Sequence, residues 1–161
     1  MRAMERLVDE GKVRHIGVSN LDVEKLEKAR AALKKHPLVA SEALYHVEGR
    51  GPEERLIPHC ASRNMAFVAY SPLGGGEFPA ADSPSGRALA QVAARHGATP
   101  HQVALNFLVR HQNVFAIPKA ETLEHVRLNA TALDFALSRE DVATLEKALP
   151  RPPPGAPLSI V

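Results

Sequence analysis

Polar side chains follow or interrupt four apolar, strand-like runs of the sequence. Successive parallel strands place their carboxyl ends at one side of a sheet, and α/β proteins bind their ligands there. We therefore expect these polar groups to converge on one site. They are Ser19, Asn20, Glu42, Tyr70, Ser71 and Lys119.

Each of these residues also has an ordinary structural explanation. Ser19 and Asn20 are explained as well by capping of the helix that follows them. Tyr70 could fill the end of the sheet as an aromatic plug, and Lys119 taken alone would be a solvated lysine. Single residues therefore do not decide between a ligand site and a structural role.

The elements that would position these residues can be read from apolar runs and helix-capping signals. Strands are predicted over residues 12–20, 38–45, 65–70 and 114–118, after a first helix over residues 4–10. Residues 77–85, rich in Pro and Asp, are predicted to form a functional loop. The capping signals are Asn20 or Asp22, the helix-ending Gly97, the capping box of Thr99 and Gln102, Thr122, and Ser138 with Asp141.

This order of one helix and four strand-helix repeats predicts a parallel α/β sheet with right-handed crossovers. Four such strands are half of a (β/α)8 barrel, which has two unpaired strand edges unless another half completes it. Met1 continues the helical spacing of the first helix and no capping residue precedes it, so we expect upstream structure to be missing, with a short, ragged first helix as the alternative. Residues 1–161 are taken as one partial domain, and residues 150–161 are predicted to form an extended, proline-rich tail.

Composition argues against several classes of protein. The net charge is only +2 and the charged residues are dispersed, which disfavours nucleic-acid binding. A hydrophobic content of 45% with 24% charged residues indicates a globular protein without a membrane span. The single cysteine, Cys60, and the absence of metal-ligand spacing among the histidines favour a cytoplasmic protein without a zinc site.

Three motifs together resemble the aldo-keto reductase family. They are GVSN at residues 17–20, YSPLG at 70–74 and IPK at 117–119, followed by a helix that reaches Asn129. The resemblance runs from the family's fourth helix to its C-terminal tail. It implies the C-terminal half of a TIM barrel that binds NADPH for hydride transfer to or from an aldehyde or ketone.

The resemblance also implies a role for each matching residue. Those matching Ser19 and Asn20 bind the nicotinamide carboxamide, and the one matching Tyr70 stacks on the ring. The remaining matches, with their implied contacts, are Ser71, Leu73 and Gly74 at the pyrophosphate, Lys119 at the 2′-phosphate, and Asn129 at the adenine.

The sequence departs from the family pattern at several of these positions. Glu42 replaces a Gln and cannot donate a hydrogen bond when ionised, although a buried, protonated Glu42 could act as Gln does. His125 replaces an Arg that stacks on the adenine, Ala120 replaces a Ser, and Leu128 replaces a Glu. Lys119 alone therefore favours NADP over NAD.

No catalytic residue is assigned to this chain, because the family's catalytic Asp, Tyr, Lys and His come from the other half of the barrel. Tyr45 lies outside the segments that the family uses for proton donation, so we expect it to be a structural anchor. Two hypotheses remain open. The chain is the cofactor-binding half of a reductase and inactive alone, or it is a non-catalytic half-barrel that homodimerises through its exposed edges.

Overall fold

A parallel sheet flanked by helices forms the framework of the protein, described by a computed structural model over residues 1–159. Its strands lie side by side in sequence order: β1 (Ile16–Ser19), β2 (Leu38–Leu44), β3 (Ala66–Tyr70) and β4 (Val114–Ala116). The helices of this part of the chain are α1 (Arg2–Asp9), α2 (Val23–Ala31), α3 (Leu56–Ser62), α4 (Pro84–His96), α5 (Pro100–Leu108), α6 (Leu123–Ala130) and α7 (Arg139–Ala148). The predicted fold class, four parallel strands with flanking helices, is confirmed.

The helix ends follow the capping signals of the sequence. Thr99 and Gln102 form the capping box of α5, and Ser138 and Asp141 form that of α7. Helix α2 is capped by Asp22, whose Oδ1 accepts a hydrogen bond of 2.8 Å from the Lys25 N–H. Asn20 is therefore not a helix cap, and its side chain is used elsewhere.

The loop predicted over residues 77–85 ends earlier than predicted, because α4 already begins at Pro84. The Ser83 hydroxyl accepts a hydrogen bond of 2.9 Å from the Gly86 N–H, and a proline suits the first helical position. A Cβ atom on Gly86 would lie 2.0 Å from the Ala80 carbonyl oxygen, so only glycine lets the loop pass this close to the helix.

All four predicted strands are shorter in the structure, β2 and β3 by one residue each and β1 and β4 by more. Residues 12–15 do not belong to β1, because the N–H groups of Lys12 and Val13 donate to the Leu7 carbonyl oxygen and close the end of α1. Strand β4 ends at Ala116 rather than at residue 118, since Pro118 has no N–H to donate to the sheet. These corrections leave the strand ends that carry the predicted site in place.

The two faces of the sheet differ in their surroundings. One face carries Phe67, Ala69 and Val114, which are buried in a single core with the apolar sides of the helices. The opposite face carries Glu42, Val68 and Phe115, which occupy neighbouring positions on adjacent strands. Phe115 is 57% exposed and the other two are half-buried. We call this second face the open face of the sheet.

The segment after α7 runs through residues 150–159 without helix or strand, apart from a turn at residues 154–155. The Gly155 N–H donates to both carboxylate oxygens of Glu54, at 3.1 and 3.0 Å, and Arg151 pairs with Glu146. The last two residues of the predicted tail, 160 and 161, lie outside the described residues. Each helix between residues 1 and 159 is too short or too polar to cross a membrane.

Candidate functional site

The carboxyl ends of β1 and β2 bring three of the predicted site residues together. Ser19 lies opposite Glu42 in the register of these two strands. The Asn20 N–H donates a hydrogen bond of 2.8 Å to the Glu42 carbonyl oxygen, which continues the sheet one residue past the end of β1. The main chain thus fixes Ser19, Asn20 and Glu42 at one edge of the open face.

Tyr70 connects this edge to the end of β3. Its hydroxyl donates a hydrogen bond of 3.1 Å to Oδ1 of Asn20, so the contact crosses β2, which lies between the two strands. A side-chain amide held by such a bond has a fixed orientation. The predicted ring-stacking residue and one of the predicted carboxamide-binding residues therefore form a single arrangement.

Asn20 and Ser71 share an unusual main-chain conformation. Their φ angles are +58° and +46°, in the left-handed region that non-glycine residues rarely adopt. Asn tolerates this region better than Ser does, and a residue held there costs about 1–3 kcal/mol. Such strain is concentrated at functional sites, and both residues follow directly after a strand of the candidate site.

The glycine run after β3 turns the chain away from the sheet. Gly74, Gly75 and Gly76 have φ angles of +82°, +62° and +108°, and the Gly74 N–H donates to the Ser71 carbonyl oxygen at 2.9 Å. A Cβ atom on Gly76 would meet nothing within 4 Å. Glycine is therefore required here by the backbone conformation and not by lack of space.

A pocket of about 490 Å³ lies between this loop and the segment that follows β4. Its size is within the range of small-molecule sites. Ser71 and Leu73 line it on one side and Lys119 and His125 on the other, so four of the predicted cofactor residues meet in one cavity. The pocket combines a flexible ammonium group, a hydroxyl and a glycine-rich backbone, which together suit an anionic ligand.

Lys119 is paired within the pocket. Its Nζ lies 2.6 Å from Oε1 of Glu121, and the side chains of the two residues are 83% and 72% exposed. The hydrogen bond that Lys119 donates to Glu121 is the main cause of the raised pKa of Lys119. The cation is thus ionised, and it is already engaged by a carboxylate that also lines the pocket.

Six of the predicted cofactor residues do not line this pocket: Ser19, Asn20, Glu42, Tyr70, Gly74 and Asn129. Asn129 is half-buried and lines a separate groove with Phe115 and Leu133, which leaves its predicted contact with adenine a prediction. Asn20 lines a cavity of about 260 Å³ that the chain near Gly155 partly covers. Glu42 is half-buried on the open face, opposite Ser19.

Tyr45 is an anchor in the protein interior. It has no exposed surface, and its hydroxyl donates a hydrogen bond of 2.6 Å to Glu53 and accepts one of 3.2 Å from Arg110. Burial is the main reason why its pKa is raised above the ordinary tyrosine value. This geometry agrees with the structural role that the sequence favoured.

The network around Tyr45 was not predicted from the sequence. Glu53 accepts hydrogen bonds from Arg50 and Arg110, and both arginines also reach Glu146 on α7. Burial alone would raise the pKa of Glu53, but the bonds from Arg50, Tyr45 and Arg110 lower it to about 2. Residues 50–53 therefore hold the centre of an ion network that attaches α7 to the rest of the protein.

The position of His46 beside the glycine loop was also not predicted from the sequence. A Cβ atom on Gly49 would lie 2.4 Å from its Nε2, and one on Gly74 would lie 3.8 Å from its Nδ1. Nδ1 is buried without a hydrogen-bond partner, and burial lowers the pKa of the ring. The neutral imidazole thus lies between Gly49 and the glycine loop of the pocket. The glycine at position 49 is the sequence feature that could have indicated a side chain packed this close to the main chain.

Fold and site together define an α/β protein with a ligand pocket at the carboxyl ends of its parallel strands. A sequence model of the Aldo/keto reductase family matches residues 1–150. The chain belongs to the aldo/keto reductase family. No cluster of three or more His, Cys, Asp or Glu side chains that could hold a metal ion occurs among residues 1–159.

Relatives of known name and structure agree with this assignment. The chain is 37% identical to methylglyoxal reductase YeaE of Escherichia coli over 150 residues, which is 93% of this chain and 53% of that protein. An aldo-keto reductase of Klebsiella pneumoniae, crystallised with NADPH, superposes with a TM-score of 0.89 at 38% identity. The superposed region is 99% of this chain and 56% of the Klebsiella chain. The thermostable aldo-keto reductase Tm1743, crystallised with the inhibitor epalrestat, superposes with a TM-score of 0.85 at 37% identity. The superposed region is 91% of this chain and 53% of the Tm1743 chain.

The chain spans about half the length of these relatives. Their structures are aldo-keto reductase barrels, and the four-stranded sheet of this protein corresponds to about half of such a barrel.

Proposed function

We propose that this chain is the cofactor-binding half of an NADPH-dependent aldo-keto reductase, which transfers hydride between NADPH and an aldehyde or ketone. The observation that carries the proposal is the pocket between the glycine loop and Lys119, next to the Tyr70 and Asn20 pair. The Klebsiella relative that was crystallised with NADPH supports the choice of cofactor.

The residues present fit the parts of this cofactor. Tyr70, Asn20 and Ser19 would hold the nicotinamide, and Glu42 would accept from its amide nitrogen. The loop of Ser71, Leu73 and Gly74 would receive the pyrophosphate. Lys119 would bind the 2′-phosphate, with His125 and Asn129 toward the adenine.

When bound, the nicotinamide supplies the hydride, and the protein contributes the orientation of the ring. A ring held on one side by an aromatic side chain and at its carboxamide by polar groups presents one face to the substrate. Carbonyl reduction also needs a proton donor next to the acceptor carbon. Tyr45 does not meet this need, because it is buried and its hydroxyl is engaged with Glu53 and Arg110.

We therefore assign the proton donor to a complementary half that carries the family's catalytic Asp, Tyr, Lys and His. Residues 1–161 then supply half of a barrel as one partial domain, and residues 155–158 of the tail lie beside Asn20. Incubation of the chain with NADPH and methylglyoxal should give no appreciable oxidation of NADPH. Turnover that is lost in Tyr45→Phe would contradict the structural role of Tyr45.

Cofactor binding is tested by titrating the chain with NADPH and following the nicotinamide fluorescence. Saturable binding is expected, and Tyr70→Ala should weaken it about tenfold because the ring platform is lost, while Tyr70→Phe keeps most of the affinity. The affinity for 2′,5′-ADP, which lacks the nicotinamide, should be equal in all three proteins. Absence of saturable NADPH binding, or an equal effect of Tyr70→Ala on both ligands, would refute the proposal.

A second candidate function is that of a non-catalytic module in which two copies close one barrel. The exposure of Phe115 and Ile117, at 57% and 50%, beside the outer edge of β4 favours an interaction surface at this position. Sedimentation velocity at several concentrations should then show a dimer that Phe115→Asp dissociates. A monomer at all concentrations would exclude this second function.

A further inference from the structure

The pocket that contains Lys119 also contains a carboxylate that opposes an anionic ligand. Glu121 lines the pocket together with Lys119 and His125. Its Oε1 lies 2.6 Å from the Lys119 ammonium, which is hydrogen-bond distance. The ammonium of Lys119 is therefore already hydrogen-bonded to Glu121 before a ligand binds.

The position of Glu121 in the chain keeps this carboxylate close to the lysine. Only one residue separates the two, and the next residue, Thr122, caps α6 through a bond of 3.1 Å from the His125 N–H to its hydroxyl. The segment between β4 and α6 is therefore fixed at both ends. The main chain thus holds Glu121 next to Lys119 in the lining of the pocket.

We infer that Glu121 is a specificity-determining residue that competes with the 2′-phosphate of NADPH for Lys119 and so narrows the preference for NADPH over NADH. This inference rests on the proposed function, because it places the dinucleotide in this pocket. A phosphate dianion must separate the ion pair and then lie near the released carboxylate. The uncharged 2′-hydroxyl of NADH does not have to separate the ion pair and is not repelled by the carboxylate. It can also donate a hydrogen bond to the same carboxylate.

The magnitude follows from the exposure of the pair. Both side chains are largely solvated, and exposed ion pairs contribute little. Glu121→Gln should therefore raise the affinity for NADPH relative to NADH about threefold to fivefold at low ionic strength. The gain should shrink as salt is added, since both charges are screened.

The experiment measures the affinities of the chain for NADPH, NADH and 2′,5′-ADP by titration calorimetry at low and at physiological salt. Glu124→Gln is the matched control, because it removes the same charge from the first turn of α6, and Glu124 does not line the pocket. Glu121→Gln should strengthen binding of NADPH and 2′,5′-ADP and leave or weaken that of NADH. Glu124→Gln should change the ratio of the two affinities less than twofold.

The variant Lys119→Met separates competition for the lysine from simple charge repulsion. In the Lys119→Met background, Glu121→Gln should give a clearly smaller gain than in the native chain. An equal gain in both backgrounds, or equal effects of Glu121→Gln and Glu124→Gln, would overturn the inference while NADPH binding itself stands. Absence of saturable binding of either dinucleotide by the native chain would overturn the proposed function and this inference with it.

Discussion

The two faces of the sheet use the same strands for different purposes. Val114 and Phe115 are neighbours on β4, yet Val114 is 5% exposed in the helix-covered core and Phe115 is 57% exposed on the open face. On the covered face Phe67 packs against Tyr45, with ring centroids 5.8 Å apart and an interplanar angle of 81°. The helix-covered face holds the fold together, while the open face and its rim carry the candidate site.

Charged groups follow the same division. On the covered side, Glu53, Arg50 and Arg110 are largely withdrawn from water and make several hydrogen bonds each, although Nη1 of Arg50 is buried without a partner. At the rim of the open face, Glu42 is half-buried and Lys119 is exposed with one carboxylate partner. Charges that stabilise the fold are enclosed, and charges available to a ligand remain solvated.

The largest expected difference in the free energy of unfolding is between alanine substitutions of two phenylalanines, one on each face of the sheet. Phe67→Ala should lower the free energy of unfolding by about 3–5 kcal/mol, since it removes a completely buried ring and leaves a cavity. Phe115→Ala should lower it by less than about 1 kcal/mol, because half of that ring already contacts water. Urea unfolding at neutral pH measures both. Equal losses would mean that another surface covers the open face in solution.

The next effect concerns the ion network. Glu53→Gln should lower the free energy of unfolding by about 3 kcal/mol at pH 7, because the enclosed charges of Arg50 and Arg110 are then left with a single carboxylate, Glu146, to share. The matched change Glu42→Gln on the open face should cost less than about 0.5 kcal/mol. If Glu53→Gln cost no more than Glu42→Gln, the enclosed network would not stabilise the fold.

The contribution of Glu53 should also depend on pH. Its pKa falls from 4.5 to about 2 on folding, so its stabilising effect is fully present above pH 4.5 and is lost as the pH falls from about 4.5 to about 2. The difference in urea midpoint between the native chain and Glu53→Gln should therefore shrink over this range. A difference that stays constant down to pH 2 would contradict the assignment.

The smallest effect concerns the rim of the open face. Ser71→Gly should raise the free energy of unfolding by about 0.5–1 kcal/mol, because glycine adopts the left-handed conformation of this position without strain. Ser19→Gly, in the extended end of β1, is the control and should lower it by a similar amount. Thermal unfolding of both variants provides the measurement, and destabilisation by Ser71→Gly would show that no strain is stored there.

The sequence by itself determined the features that depend on neighbouring residues. Apolar runs located the four strands, and side chains such as Thr99 and Ser138 marked helix starts, because a cap is formed within three residues of the chain. The order of the short motifs identified the family, which the match over residues 1–150 confirms. It also selected Ser71, Leu73, Lys119 and His125, which the structure brings into one pocket.

Only the tertiary structure decided which of these residues meet and in what state. The bond from Tyr70 to Asn20 joins residues 50 positions apart, and the bond from Arg50 to Glu146 joins residues 96 positions apart. The left-handed conformation of Ser71 and the pairing of Lys119 with Glu121 have no signature in composition or periodicity. The two long-range bonds depend on how the strands pair and on which face of the sheet the helices cover, and local residue preferences do not specify either.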